Sequence, residues 1–545
     1  MTAFLLVLIS WALAFAAWFP VGSWFVTRFG NIWKDRPVHQ LILSTVVGAA
    51  LNSSLLGFTS IWLPINSIYA LLFAITGAIL FRKPSFVIFG NFVKSIYNWS
   101  YASKLSAVAF LIIALLCSAH ESLNNDSGLY YIQFIKWINS YPVVPGLANL
   151  HDRLGFNSHW HLLSAAYDLQ PLVSSHANDL NGLLLLLIGL GCIDSAQRSI
   201  KKPTLFHAIW ALFPLPFFLL MRFLTSAAPD LPSTLLPLIY FSLLITADKK
   251  RYLIAFCGML IAFAATIKVI SILHGIILIP LFFTLLKNKE LKPILLLIIG
   301  VGFIVAPWLI RNVIQTGYLI FPLETIDLFS FDWKVPNELA GNARKMVDIH
   351  ARTGSYDLTN YEKPVADWLP FWLSVQSKSV LALLIFVTGG SLLTTIISTF
   401  NLIRKKSENP TYHLFFGITV LFSLVFWWKS GPNPRFAYGV IFFFFAYALA
   451  VVSTMTEPTK KLLRFVPILA LLPMALLTRT VWNEPGPTRP TEFSVMKSTG
   501  RPIYYPTKTD KCWEQRIPCA NKKRTDIRFR GNEMGEGFVN TQRQN

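Results

Sequence analysis

Asp126 is the first place in this sequence where a specific chemistry can be written down. It follows Asn124 and Asn125 and precedes an aromatic stretch, Leu129 to Tyr141, that holds Tyr130, Tyr131, Phe134, Trp137 and Tyr141. His151, Asp152, Arg153, Asn157, His159 and His161 follow shortly after. A carboxylate among imidazoles, amides and a guanidinium has the parts of a general base with hydrogen-bonding groups for its substrate. Asp126 also fits a helix N-cap, because Asp and Asn commonly accept from the first free N–H groups of a helix. The density of proton-handling groups nearby exceeds what a connector needs. His159 and His161 are two apart and so face apart on a helix, which argues against a metal pair.

Other ionisable residues stand at the ends of apolar runs. Arg222 and Asp230 bracket FLTSAAPDLP, Lys268 lies in AATIKVIS ahead of His274, Arg311 follows PWLI, and Arg435 lies in WWKSGPNPRFAYG. Taken singly, each cation reads as a side chain snorkelling to the membrane interface. Ionisable groups at membrane depth are costly, however, and ordinarily line a cavity or contact a ligand. Several cations on the face that carries Asp126 describe a site for an anionic headgroup.

The elements that must hold these residues are set by composition. The chain has 545 residues, of which 54% are hydrophobic and only 14% charged, against roughly 25% charged in a soluble domain. Its mean hydropathy is +0.52. No water-soluble core hides that much apolar side chain, so lipid must solvate much of it. Apolar runs occur at 3–26, 41–58, 62–81, 105–119, 180–193, 205–221, 231–246, 252–267, 270–286, 293–310, 380–402, 413–428, 437–453 and 462–478. They predict an all-α membrane protein, a polytopic bundle of about fourteen transmembrane helices. One member of the pair 252–267 and 270–286 is expected to be broken or re-entrant. The first run lacks a basic leader and exceeds a signal-peptide core, so it reads as a retained span.

The net charge of +21 would suit a nucleic-acid partner if it formed a patch. It does not. The cations sit in short clusters between apolar runs: Arg28, Lys34 and Arg36; Arg82, Lys83, Lys94 and Lys104; Arg198, Lys201 and Lys202; Lys249, Lys250 and Arg251; Lys287, Lys289 and Lys292; Arg404, Lys405 and Lys406; Lys460, Lys461 and Arg464. The positive-inside rule puts these loops in the cytoplasm. Both termini, Asp126 and the isolated cations then fall outside, in the cytoplasmic (inner) membrane of a bacterium.

The organisation that follows is an N-terminal set of transmembrane helices over 1–104 and a core over 105–455 with outer loops at 120–177 and 311–379. A last transmembrane helix at 456–479 leads to an extracytoplasmic tail at 480–545. The aromatic stretch after Asp126 and DWLPFWL in the second loop predict interfacial helices. That loop also holds eight acids, Glu324, Asp327, Asp332, Glu338, Asp348, Asp357, Glu362 and Asp367. Cys117, Cys192 and Cys257 lie in or beside apolar runs and read as inert thiols. Cys512 and Cys519, in CWEQRIPC, suit a small disulfide loop in an oxidising compartment.

Further short motifs accompany these residues. They are the Pro229-Asp230 turn, then Pro307, Trp308, Arg311, Asn312, Gly317, Phe321 and Pro322 at one span exit, and Pro434, Arg435 and Phe436 in a late outer turn. Their order and common sidedness resemble the GT-C superfamily of polytopic glycosyltransferases over roughly 105–455. Asp126 matches the place of the catalytic acid in that family's first catalytic outer loop. More spans precede the loop here than the one usual in the family, and Asp126 lacks the paired acid of some branches.

The resemblance implies transfer of a sugar from a polyprenyl-phosphate donor to a glycan or lipid acceptor, with inversion. Asp126 would be the general base. Arg435, Arg311 and Lys268 would hold the donor phosphate, and Asn125, His151, Arg153, Asn157, His159 and Asp230 would contact substrate. No metal motif is present, while the resemblance allows a divalent ion held by Asp residues. Two other readings stay open: a lipid-linked glycan polymerase or ligase relying on Arg and His, and a lipid or glycan transporter or flippase. Against the latter, internal symmetry is lacking and the polar groups gather at one face rather than midplane.

Overall fold

The computed structural model describes residues 2–169, 180–200, 204–246, 252–404, 410–453, 463–484, 486–487, 489–490 and 492–544. Lys201, Lys202, Lys249, Lys250, Arg251, Lys405, Lys406, Lys460 and Lys461, which bear on orientation, lie outside the described residues. Among the described residues, nine helices are long and apolar enough to cross a bilayer, or eleven if each of two bent pairs is one span. Three shorter apolar helices, Asp230–Thr246, Leu253–Ile267 and Tyr438–Ser453, join them in the bundle. The protein is a multi-pass, all-α membrane protein.

Close packing starts at the first two helices, Thr2–Arg28 and Pro37–Thr59. They meet at glycines: a Cβ on Gly22 would stand 1.7 Å from the Ser44 carbonyl oxygen, and one on Gly48 1.8 Å from that of Trp18. Small residues let backbones approach in this way, and in lipid that contact must replace the hydrophobic drive. The Pro37–Thr59 helix is in turn buried along nearly its whole length.

Two elements bend where straight spans were expected. The run 205–221 divides into Leu205–Leu212 and Phe217–Thr225, 57° apart, across Pro214 and Pro216. Proline lacks the N–H that the next turn needs and crowds the preceding carbonyl. The helix Ser67–Leu80 turns 89° into a second helix, Arg82–Tyr97, where the basic cluster predicts a loop. Apolar Phe86, Val87 and Val93 stand exposed on that second helix. It is tied down through Ser95 and Trp99, which bond Asp194, itself paired with Arg198 at 2.7 Å.

The break expected near 252–286 lies at Lys268. Helix Leu253–Ile267 stops there, Lys268 is extended (φ −146°, ψ 115°), and the chain continues as a 3-10 helix, Val269–Leu278, before Ile279–Lys287. Irregular backbone at this depth is tolerated where it lines a cavity.

The tail beyond helix Val466–Asn483 is built on short strands, with two short 3-10 turns, Met534–Glu536 and Thr541–Gln544. Strands Phe493–Ser498 and Arg501–Pro506 pair antiparallel, as do Ile527–Phe529 and Phe538–Asn540. Cys512 and Cys519 form a disulfide with Cα atoms 6.1 Å apart. This small β unit sits on the segment that follows Asp126 and changes the expected role of its aromatics. Tyr131, Phe134 and Trp137 are buried inside protein, so helix Ile132–Ser140 is not a headgroup-layer helix as expected. Its aromatics are covered from two sides: Tyr131 and Phe134 pack against His161 of helix His159–Ala166, and Trp137 packs edge-on against Phe538 of the tail, which local pattern does not reveal. In Val365–Val375, by contrast, Trp368 and Trp372 are buried while Phe371, Leu373 and Val375 stay exposed.

Candidate active site

A cavity of about 350 Å³ opens where the broken span, the segment after Asp126 and the turn around Arg435 meet. Asp126, Arg153, Asp230, Lys268 and Arg435 are the acids and the Lys and Arg residues that line it, three cations against two carboxylates. Ile267, Ile270, Ile320, Leu323, Phe426 and Phe436 supply apolar wall. Volumes of this order fall at the small end of ligand pockets, roughly 300–1,000 Å³, which combine apolar walls with a few polar groups.

Each charged group is held by identifiable local structure. Asp126 does precede a helical turn, but its side chain makes no capping bond there. Asn124 does that work, its Oδ1 accepting from the Asp126 N–H at 3.0 Å. The Asp126 carboxylate is thereby free to pair with Arg435, 3.1 Å away. The turn that follows, Ser127–Tyr131, is π-helical, a local widening often found at functional sites.

Arg435 sits in a 3-10 turn, Pro434–Phe436, and its own N–H donates to the capping Asn433 Oδ1 at 3.3 Å. The turn is pinned from outside by two indoles: Trp427 donates to the Asn433 carbonyl at 2.7 Å and Trp372 to that of Pro432 at 2.8 Å. The guanidinium lies between two carboxylates, with Asp126 on one side and Asp230 at 3.8 Å on the other. Burial works against its charge, yet Asp230 and Asp126 outweigh that and raise its affinity for the proton above the ordinary arginine range.

Asp230 begins helix Asp230–Thr246 and is almost fully buried. Helix N-termini favour a negative charge, and Lys268 supplies the partner at 2.5 Å. The same ammonium lies 4.3 Å from the centre of the Phe436 ring. Asp126, Arg435, Asp230 and Lys268 thus form a chain of alternating sign along one wall. The two carboxylates are linked by a guanidinium, and among the described residues no three His, Cys, Asp or Glu side chains converge as metal ligands.

Of the sequence-predicted residues, Asp126, Arg153, Asn157, Asp230, Lys268 and Arg435 line the cavity. Four do not. Arg311, expected at the donor phosphate, is buried behind the wall, where its Nε donates to Asn157 Oδ1 at 3.2 Å and its Nη1 to Ser60 Oγ at 2.6 Å. Trp308 and Asn312, four apart on the same helix, take the cavity face instead. His159 is buried against Thr266 Oγ1 at 3.1 Å and Ser53 Oγ at 3.4 Å. His151 caps the turn Asp152–Gly155 by accepting from the Arg153 N–H at 3.0 Å. Asn125 turns outward and accepts from Lys511 Nζ at 3.2 Å.

Of the two histidines in the first loop's His159–His161 pair, His161 is the one that reaches the cavity, which spacing alone did not single out from His159. It is 1% exposed, and neither ring nitrogen has a partner among the described residues. Burial pushes its pKa down to about 3, so the ring is neutral, one nitrogen donating and the other accepting. His350 and Tyr356, stacked 4.5 Å apart, close the rim from the second loop segment. Nothing in their sequence context marked them: acids and bases are evenly mixed there, Glu338, Asp348 and Asp357 against Arg344, Lys345 and Arg352.

Fold and cavity define a multi-pass helical membrane protein with a charged pocket at one end of its bundle. Residues 4–442 match the family described as a domain of unknown function (DUF8201), and the chain belongs to that family. No curated protein and no solved structure matches it. The match includes every residue of the charged chain and ends before the β-stranded tail.

Proposed function

We propose that the protein is a membrane glycosyltransferase that moves a sugar from a polyprenyl-phosphate donor to a glycan or lipid acceptor outside the cytoplasmic membrane of a bacterium. One observation carries the reading: Asp126 paired to Arg435, and through it to Asp230 and Lys268, on the wall of a mostly apolar cavity. A base, fixed cations and apolar surface in one pocket are what a lipid-phosphate sugar needs. The bundle spans the bilayer about fourteen times when each bent pair and each of the three shorter helices is one span. The charge pattern then puts the cavity and both termini outside.

In the reaction, Asp126 accepts the proton of the acceptor hydroxyl as that oxygen bonds to the anomeric carbon. The bond from that carbon to the phosphate oxygen breaks, and the electron pair leaves with the phosphate. Arg435, Lys268 and Arg153 hold the growing negative charge through charge-assisted hydrogen bonds. Attack opposite the leaving group inverts the anomeric centre. The cavity accommodates a sugar phosphate but not a long isoprenoid, of which only the first units meet the apolar wall of Ile267, Ile270 and Phe426. Neutral His161 offers a donor and an acceptor, which matches sugar hydroxyls rather than phosphate.

The test is Asp126→Asn in purified protein supplied with polyprenyl-phosphate-linked sugars and membrane acceptors. Transfer falls by roughly 10²–10⁴, the range for a lost general base, while the amount of folded protein is unchanged. Full transfer by this variant would remove Asp126 from the role. Loss on replacing Arg153 or Arg435 with Asp126 dispensable would turn the reading toward a polymerase or ligase.

A further inference from the structure

The C-terminal tail lies beyond the family match yet is built into the wall that carries Asp126. Trp513, inside the Cys512–Cys519 loop, is buried against Gly128, two residues after Asp126. A Cβ on Gly128 would come within 2.2 Å of the indole, so the glycine is the hollow that admits it. The Trp513 N–H donates to the Gly128 carbonyl at 3.0 Å. Around that point the loop grips the whole segment. Lys511 reaches Asn125 Oδ1, Gln133 Nε2 donates to the carbonyls of Trp513 and Gln515 at 2.9 and 2.8 Å, and Lys136 pairs with Glu514 at 3.1 Å. Gly128 belongs to the π-helical turn, and these anchors flank it on both sides.

Two features show that the loop is held rather than merely resting there. Trp513 has φ +44°, a left-handed conformation that a bulky residue adopts only when its surroundings over-determine it. The loop is also stitched to the β unit, Tyr504 donating to the Pro518 carbonyl at 3.0 Å and accepting from Ala520 at 2.9 Å. A second anchor lies further along the tail, where the Phe538 N–H donates to Pro145 at 3.0 Å and Arg530 pairs with Asp332 at 2.6 Å.

We propose that the tail is a working part of the site: its disulfide-closed loop is a clamp that sets the position of Asp126 by seating Trp513 over Gly128. Trp513 is a positioning residue, acting through the π-helical turn. The disulfide keeps the loop in the shape that presents the indole, so the site is fully assembled only where thiols are oxidised. The consequence for rate rests on Asp126 acting as proposed above, whereas the clamp itself does not.

The experiment uses the full-length protein in lipid nanodiscs and follows amide hydrogen exchange over 124–140. Wild type is compared before and after mild reduction, alongside Trp513→Ala and Trp513→Phe. Reduction and Trp513→Ala each speed exchange in 124–140 by about tenfold or more, the scale of losing several hydrogen bonds and a packed ring. Exchange in Pro37–Thr59 and Leu253–Ile267 stays as it was. Trp513→Phe, which refills the hollow, recovers most of the protection. With a polyprenyl-phosphate-linked sugar as probe, kcat falls in Trp513→Ala while KM for the donor holds, and Trp513→Phe restores kcat.

Unchanged exchange in 124–140 after reduction overturns the clamp, and reduction of folded wild type decides this even if Trp513→Ala does not fold. Faster exchange with kcat intact in an active protein overturns the positioning role. Faster exchange in a wild-type protein that transfers no sugar supports the clamp and instead refutes the glycosyltransferase reading.

Discussion

Asp126→Asn makes a second prediction, opposite in sign to its effect on transfer. Arg435 is the cation a donor phosphate would use, and in the resting protein Asp126 occupies it at 3.1 Å. Two unit charges at about 4 Å attract by about 4 kcal/mol at an effective dielectric of 20. Here the Arg435 side chain is 26% exposed and that of Asp126 22%, so water screens part of this and about 1.5 kcal/mol is a realistic net value. Replacing the carboxylate by an amide of the same shape removes that competition and leaves Arg435 with Asp230 alone. Polyprenyl phosphate lacking a sugar therefore binds the variant about tenfold more tightly, 1.4 kcal/mol being a factor of ten. Titration of nanodisc-held protein with a short-chain polyprenyl phosphate measures this directly. A variant that loses transfer but gains phosphate affinity has lost a base that competed for the phosphate's cation. Affinity that is unchanged or weaker would refute the shared use of Arg435.

Two further outcomes follow from where the structure puts residues that seemed equivalent in the sequence. Arg311→Met leaves the affinity for polyprenyl phosphate within about twofold of wild type, because Arg311 contacts Asn157 and Ser60 behind the wall, whereas Lys268→Met weakens it by about tenfold, the loss of one charge-assisted bond. Equal losses in the two variants, read in the same titration, would put Arg311 in the cavity. Burial, with Arg311 adding to it at His159, holds the pKa of His159 and of His161 at about 3. An unfolded chain takes up those protons near pH 6.5, so stability is full above that pH and is lost as pH falls toward 3, by about 1.4 kcal/mol per histidine per pH unit. The thermal midpoint accordingly drops from pH 6.5 to pH 4.5, and His159→Gln with His161→Gln flattens the slope; an unaltered slope would show that neither ring is buried neutral.

What was legible in the sequence was what local chemistry writes there. Apolar runs long enough to span a bilayer, an irregularity somewhere in 252–286, two cysteines seven apart in a polar tail, and an isolated carboxylate near lone cations all follow from residue type and spacing, because solvation by lipid acts on each segment by itself. Which side chains share a pocket does not. His159 and His161 are indistinguishable until the Pro37–Thr59 helix takes one face of their turn and the cavity the other. Arg311 and Lys268 look alike at span ends until Ser60 and Asn157 capture the first and Asp230 the second. The aromatics after Asp126 read as a surface for headgroups until helix His159–Ala166 packs on Tyr131 and Phe134 and the β-stranded tail on Trp137. Those outcomes belong to tertiary structure for a physical reason: the partner that satisfies a buried charge or covers an apolar face comes from another segment, 38 residues away for Lys268 and 154 and 251 for Arg311, and nothing in the neighbouring sequence records it.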